Sequence, residues 1–91
     1  MTTRDVVFRD RYGLHPRSAR RILETLAGVA SKVTIESLVD PGTPIDARSI
    51  LALISSSIRA GDRVRVAADG PDEAAVVVAL GDLIEAGVCH P

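Results

Sequence analysis

Segments with apolar residues at helical spacing alternate along this chain with segments of strand length. That alternation restricts it to folds that layer helices on a sheet. Val6, Val7 and Phe8 make a short apolar run between Asp5 and Arg9, and Asp10–Gly13 reads as the loop after it. Ala19, Ile22, Leu23, Leu26, Ala27 and Ala30 then recur at helical spacing, with Arg17, Arg20, Arg21 and Glu24 on the other face and Gly28 as terminator. Val33, Ile35 and Ser37 alternate with Lys32, Thr34 and Glu36 as a half-buried strand. The cluster Asp40–Pro44 is a turn, and its two prolines leave Thr43–Ile45 at most an edge strand. Asp46 is predicted to cap a second helix running to about Ser57, with Ile50, Leu53, Ile54 and Ile58 facing the core and Leu51 off that face. Ser49 falls in its first turn. After Ala60-Gly61-Asp62, Val64, Val66 and Ala68 alternate as a third substantial strand. Asp69–Asp72 opens a last helix, whose stripe is Val76, Val77, Leu80, Leu83 and Ile84 and which Gly87 ends. The order is β-α-β-(β)-α-β-α. It predicts one domain over residues 1–88 with a tail at 89–91, one sheet being covered by helices on a single side.

Hydrophobic residues make up 46% of the chain, which fits a packed core. Phe8 and Tyr12 are the only aromatics, so that core must be aliphatic. The formal net charge of -1 gives no sign of a nucleic-acid or membrane surface. Cys89 has no second cysteine to pair with, which suits a reducing compartment. No stretch resembles a signal peptide or a membrane span, so a cytoplasmic protein is expected. Two distant histidines and one cysteine make no metal set, and neither a glycine-rich nucleotide loop nor a nucleophile–base pair is evident. No cofactor and no intrinsic enzymatic turnover are expected.

The stretch Gly13-Leu14-His15-Pro16-Arg17-Ser18-Ala19 carries the chemistry. Proline is favoured at the first helical position, which makes His15 the N-cap. An imidazole there stands beside unpaired backbone N–H groups at the positive end of the helix dipole, a setting that favours an anion. A ring nitrogen could take up a phosphoryl group, with the helix end and Arg17 stabilising its charge. By itself a lone histidine here is more often an ordinary surface or capping residue, and an exposed arginine is by default a solvated one.

Three blocks together resemble HPr, the histidine-containing phosphocarrier family of the bacterial phosphoenolpyruvate:sugar phosphotransferase system. Gly13-Leu14-His15 with Arg17 matches the active-site motif, usually GLHARPA. Ile45-Asp46-Ala47-Arg48-Ser49-Ile50-Leu51 matches the second signature, and Gly61-Asp62 through Ala68–Ala74 matches the last strand and helix start. The resemblance implies an α+β fold, an open-faced β-sandwich with a four-stranded antiparallel sheet covered on one face by three helices. It further implies phosphoryl acceptance on Nδ1 of His15 from enzyme I, transfer to enzyme IIA domains, and steadying of the phosphoryl oxygens by Arg17. Ser49 would be the position that a serine kinase/phosphorylase modifies in some bacteria. Leu51 and Ile54 would belong to an apolar docking patch, and Arg20 and Arg21 to a basic rim that meets acidic partners. A monomer is expected. The chain departs from the motif at the helix start, where Pro16 replaces a small residue and Ser18 replaces a proline. The alternatives are a regulatory paralogue acting through its phosphorylation state, and a small-molecule-binding domain in which His15 is incidental. Ser49 also fits an ordinary helix start.

Overall fold

The last strand in sequence is the middle of the sheet. In β4 (Arg63–Asp69), Val64, Val66 and Ala68 are fully buried while Arg63, Arg65 and Asp69 face solvent, the alternation of a strand with one covered face. β1 (Thr2–Val7) pairs with one edge of β4 and β2 (Lys32–Ser37) with the other, both antiparallel. A two-residue β3 (Ile45–Asp46) extends β2, which gives the order β1-β4-β2-β3. The helices are α1 (Pro16–Thr25), α2 (Ile50–Ser55) and α3 (Glu73–Ala86). The computed structural model describes residues 1–39, 42–56 and 58–87. Helices cover one face of the antiparallel sheet and leave the other open. α3 lies across β1 and β4, and α1 packs against α2 and α3.

The core is aliphatic apart from Phe8. Val6, Val33, Ile35, Val64, Val66 and Ala68 of the sheet meet Ala19 and Ile22 of α1, Leu53 of α2, and Val76, Val77, Leu80 and Ile84 of α3. On the open face the Asp5 carboxylate takes both hydrogen bonds of the Arg65 guanidinium, at 2.8 and 3.1 Å. That arginine is the first cause holding the Asp5 carboxyl below its ordinary range.

Several expectations about the elements need correction. β1 begins at Thr2 rather than Val6, because its inward positions at the start are Thr2 and Arg4, not apolar residues. Thr2 donates its hydroxyl to Glu73, and Arg4 reaches the Val78 carbonyl and Asp82, so α3 satisfies both polar heads. Phe8 lies just beyond the strand and is fully buried. α1 stops at Thr25; Ala27 and Ala30 are exposed, and Gly28 at φ +80° turns the chain outside the helix.

Asp46 does not cap α2. It pairs with Thr34 in β3, and its carboxylate accepts the Arg48 N–H at 2.9 Å, an Asx turn that delays the helix. The cap is Ser49, whose Oγ accepts the Ala52 N–H at 3.2 Å. The core face of this short helix is also narrower than expected: Leu53 is fully buried, while Ile50 and Ile54 are exposed, at 43% and 39%. Ser57, Asp40, Pro41 and the tail with Cys89 and His90 lie outside the described residues.

Candidate functional site

A tight turn delivers His15 to its helix. The Asp10 carboxylate accepts the Tyr12 N–H and the Asp10 carbonyl accepts the Gly13 N–H, each at 3.0 Å. Gly13 then adopts φ +71°, where a Cβ would stand 2.9 Å from the Ile58 carbonyl oxygen. The next N–H, that of Leu14, donates to this same oxygen at 3.2 Å, and the Leu14 side chain is buried. The site loop is thereby fixed to the segment that leaves α2.

His15 is the N-cap of α1, with extended backbone (φ -138°, ψ 176°) and Pro16 at the first helical position. Its Nδ1 accepts the Arg17 backbone N–H at 3.3 Å. Pro16 has no N–H, so the donor is supplied one residue further on. Ser18 completes the cap from the third position: its fully buried hydroxyl accepts the His15 N–H at 2.9 Å and lies 3.0 Å from the His15 carbonyl. The two departures from the usual motif therefore act together, the proline opening the helix and the serine closing the cap.

The ring has two unlike edges. Nδ1 faces the helix N-terminus, whose N–H groups and dipole favour a negative group. Nε2 is buried, has no hydrogen-bond partner among the described residues, and lies 3.6 Å from the Asp10 carboxylate. The Tyr12 ring meets the imidazole edge to face, with centroids 6.1 Å apart, and the Arg11 guanidinium sits 5.5 Å from the Tyr12 centroid. Asp10 and Tyr12 were not singled out from the sequence, where they read only as loop; an acidic residue and an aromatic two apart before a glycine were the available signal.

The other predicted site residues fall into separate groups. Arg17 is exposed beside His15 and makes no ion pair among the described residues. Arg20 and Arg21 instead reach along α1, away from His15, to Glu24 at 3.7 and 3.6 Å. Ser49 caps α2 with its own hydroxyl, so a modification there would compete with the cap. Leu51 is 74% exposed and, with Ile50 and Ile54, makes an apolar surface on α2. A cavity of ≈ 210 Å³ lies between the end of α1 and the start of α3, lined by Leu26, Val29, Ala75, Val76 and their neighbours, with none of the His15 surroundings in its wall.

No described helix is long and apolar enough to cross a membrane, and the described residues hold no group of three metal-binding side chains.

The chain is 31% identical over 84 residues to a multiphosphoryl transfer protein of Salmonella typhimurium; this is 92% of the chain but 22% of that longer relative. It is 30% identical to the phosphocarrier protein NPr of Escherichia coli over 96% of each. The HPr-C-His structure from Thermoanaerobacter tengcongensis superposes with a TM-score of 0.84 at 29% identity, over 94% of this chain and 93% of that one. The family model for the HPr component phosphorylation site of the phosphotransferase system matches residues 2–86, a span that holds both the sheet and the capped histidine. By that match the chain belongs to the HPr phosphocarrier family.

Proposed function

We propose that Nδ1 of His15 accepts a phosphoryl group from phosphorylated enzyme I, itself charged by phosphoenolpyruvate, and passes it to an enzyme IIA domain. The observation that supports this most is the direction of Nδ1. Its lone pair accepts the Arg17 N–H, so the ring nitrogen that carries no proton is also the one at the helix N-terminus. In the transfer, that lone pair forms the new N–P bond while the donor's bond to phosphorus breaks and its electron pair returns to the donor. The Arg17 N–H then turns from Nδ1 to a phosphoryl oxygen, and the exposed Arg17 side chain, two residues after His15, shares the added charge. No base is required, since the attacking nitrogen carries no proton. The carrier supplies the nucleophile and the anion site, and its partners supply the remaining groups.

The exposed face of α2 at Ile50, Leu51 and Ile54 supplies the apolar part of the docking surface, because large apolar side chains at an exposed helix face suit a contact that excludes water. Arg17, Arg20 and Arg21 supply its basic border. Ser49 is the regulatory position, reached by a kinase that displaces the cap. A second route, to regulatory targets instead of sugar permeases, is favoured by the near full-length match to NPr, a paralogous phosphocarrier. A reconstituted series of phosphoenolpyruvate, enzyme I, this chain and an enzyme IIA domain tests the proposal: label should reach the IIA domain only when His15 is present. Label that bypasses a His15→Ala variant at the same rate refutes it.

A further inference from the structure

The Asp10 carboxylate is almost entirely buried, with 3% of its side chain exposed, and it lies against the one ring nitrogen that the proposed transfer leaves unused. Burying a carboxylate is costly without compensation. Part of the compensation is the Tyr12 N–H at 3.0 Å, but the second oxygen is turned to Nε2 of His15. The separation of 3.6 Å is longer than a hydrogen bond and within ion-pair range. Because Nδ1 accepts a hydrogen bond, the proton of the neutral ring resides on Nε2 and faces the carboxylate.

We propose that Asp10 is a positioning residue for the phosphorylated state: it holds the proton on Nε2 and stabilises the positive ring that forms when Nδ1 is phosphorylated. This deepens the carrier reading and rests on it. Attack by the Nδ1 lone pair leaves the ring with an N–P bond on one side and an N–H on the other, and hence a net positive imidazole. When the phosphoryl group departs, the N–P electron pair returns to Nδ1 and the ring is neutral again, its Nε2 proton never having left. A fixed carboxylate beside Nε2 lowers the energy of the charged ring, and the helix N-terminus lowers that of the phosphoryl oxygens on the opposite edge. Among the described residues, the acidic group facing the ring is Asp10; the Tyr12 ring meets the imidazole edge to face, and the Arg17 N–H meets Nδ1. The site thus places opposite fields on the two edges of one imidazole.

The test uses phosphoramidate, a small phosphoryl donor that needs no partner protein and releases ammonia with the electron pair of its own N–P bond. Asp10→Asn and Asp10→Ser both retain an acceptor for the Tyr12 N–H and remove the charge. Nitrogen and phosphorus NMR on ¹⁵N-labelled protein identify the phosphorylated nitrogen and the protonation of the other. The parent chain should carry phosphoryl on Nδ1 with a proton on Nε2 at neutral pH. Both variants should keep the amide spectrum of the fold, form the adduct roughly tenfold more slowly, as expected for loss of one charge-assisted contact, and lose the Nε2 proton once phosphorylated. Variants that match the parent in adduct rate and Nε2 protonation would overturn the proposal, as would a parent phosphorylated on Nε2 or not at all. A parent that reacts as expected with phosphoramidate but takes nothing from enzyme I would refute the carrier reading and leave the role of Asp10 intact.

Discussion

Ser18 accepts the backbone N–H of His15 through its hydroxyl at 2.9 Å, from the third position of the helix that His15 itself caps. The Ser18 side chain is fully buried, and it stands where the family usually has a proline that can form no such contact. Ser18→Ala should leave the His15 N–H without its acceptor and cost about 1–3 kcal/mol, readable as a lower urea midpoint. It should also slow phosphorylation, because the imidazole loses its fixed entry to the helix. A neutral effect on both would mean that the cap does not hold the ring.

Gly13 is the second fixed point of the site. Gly13→Ala forces a side chain into φ +71° and against the Ile58 carbonyl oxygen. The expected loss is about 1 kcal/mol or more, together with line broadening in the amide signals of residues 12–18. Unchanged signals there would refute the close approach of this loop to the segment after α2.

Leu51→Glu separates docking from folding. Leu51 is exposed, so the substitution should change stability by no more than about 0.5 kcal/mol. Enzyme I should nevertheless bind the variant at least tenfold more weakly, since a charge would enter an apolar contact. Equal affinity by titration calorimetry would remove Leu51 from the interface.

Acid should weaken the fold through three carboxylates. Asp72 is held below its ordinary range first by the Ser31 hydroxyl and then by the Ala30 and Ser31 N–H groups. Glu73 is held down first by the Thr2 hydroxyl, and Asp5 first by Arg65. A carboxyl with a depressed native value binds fewer protons folded than unfolded. Its contribution is therefore complete above the unfolded value, about 4, and is lost as pH falls through the native one. Urea midpoints should stay level down to about pH 5 and then decline, and Asp72→Asn should flatten that decline.

Much of the fold was legible because its sheet and helices follow simple periods. Val64, Val66 and Ala68 alternate, and Val76, Val77, Leu80 and Ile84 recur on one face, so β4 and α3 stand where the pattern puts them. The start of β1 was hidden because Thr2 and Arg4 occupy inward positions and are satisfied only by α3, a partner seventy residues away. The start of α2 was ambiguous because Asp46 and Ser49 are both good caps, and the Arg48 N–H decides between them by engaging Asp46 first. At the site, Pro16 announced the helix and so His15 as its cap. Asp10 was not legible: four residues, Arg11 to Leu14, separate it from His15, and only the backbone path through Gly13 brings its carboxylate to Nε2.

The most direct test of the central claim is the intact mass of the chain after incubation with enzyme I and phosphoenolpyruvate, before and after brief acid treatment. The account predicts one phosphoryl adduct that acid removes and that is absent from His15→Ala, whose fold should survive with the loss of only about 1 kcal/mol of capping. An adduct that resists acid, or one that persists in His15→Ala, would contradict it.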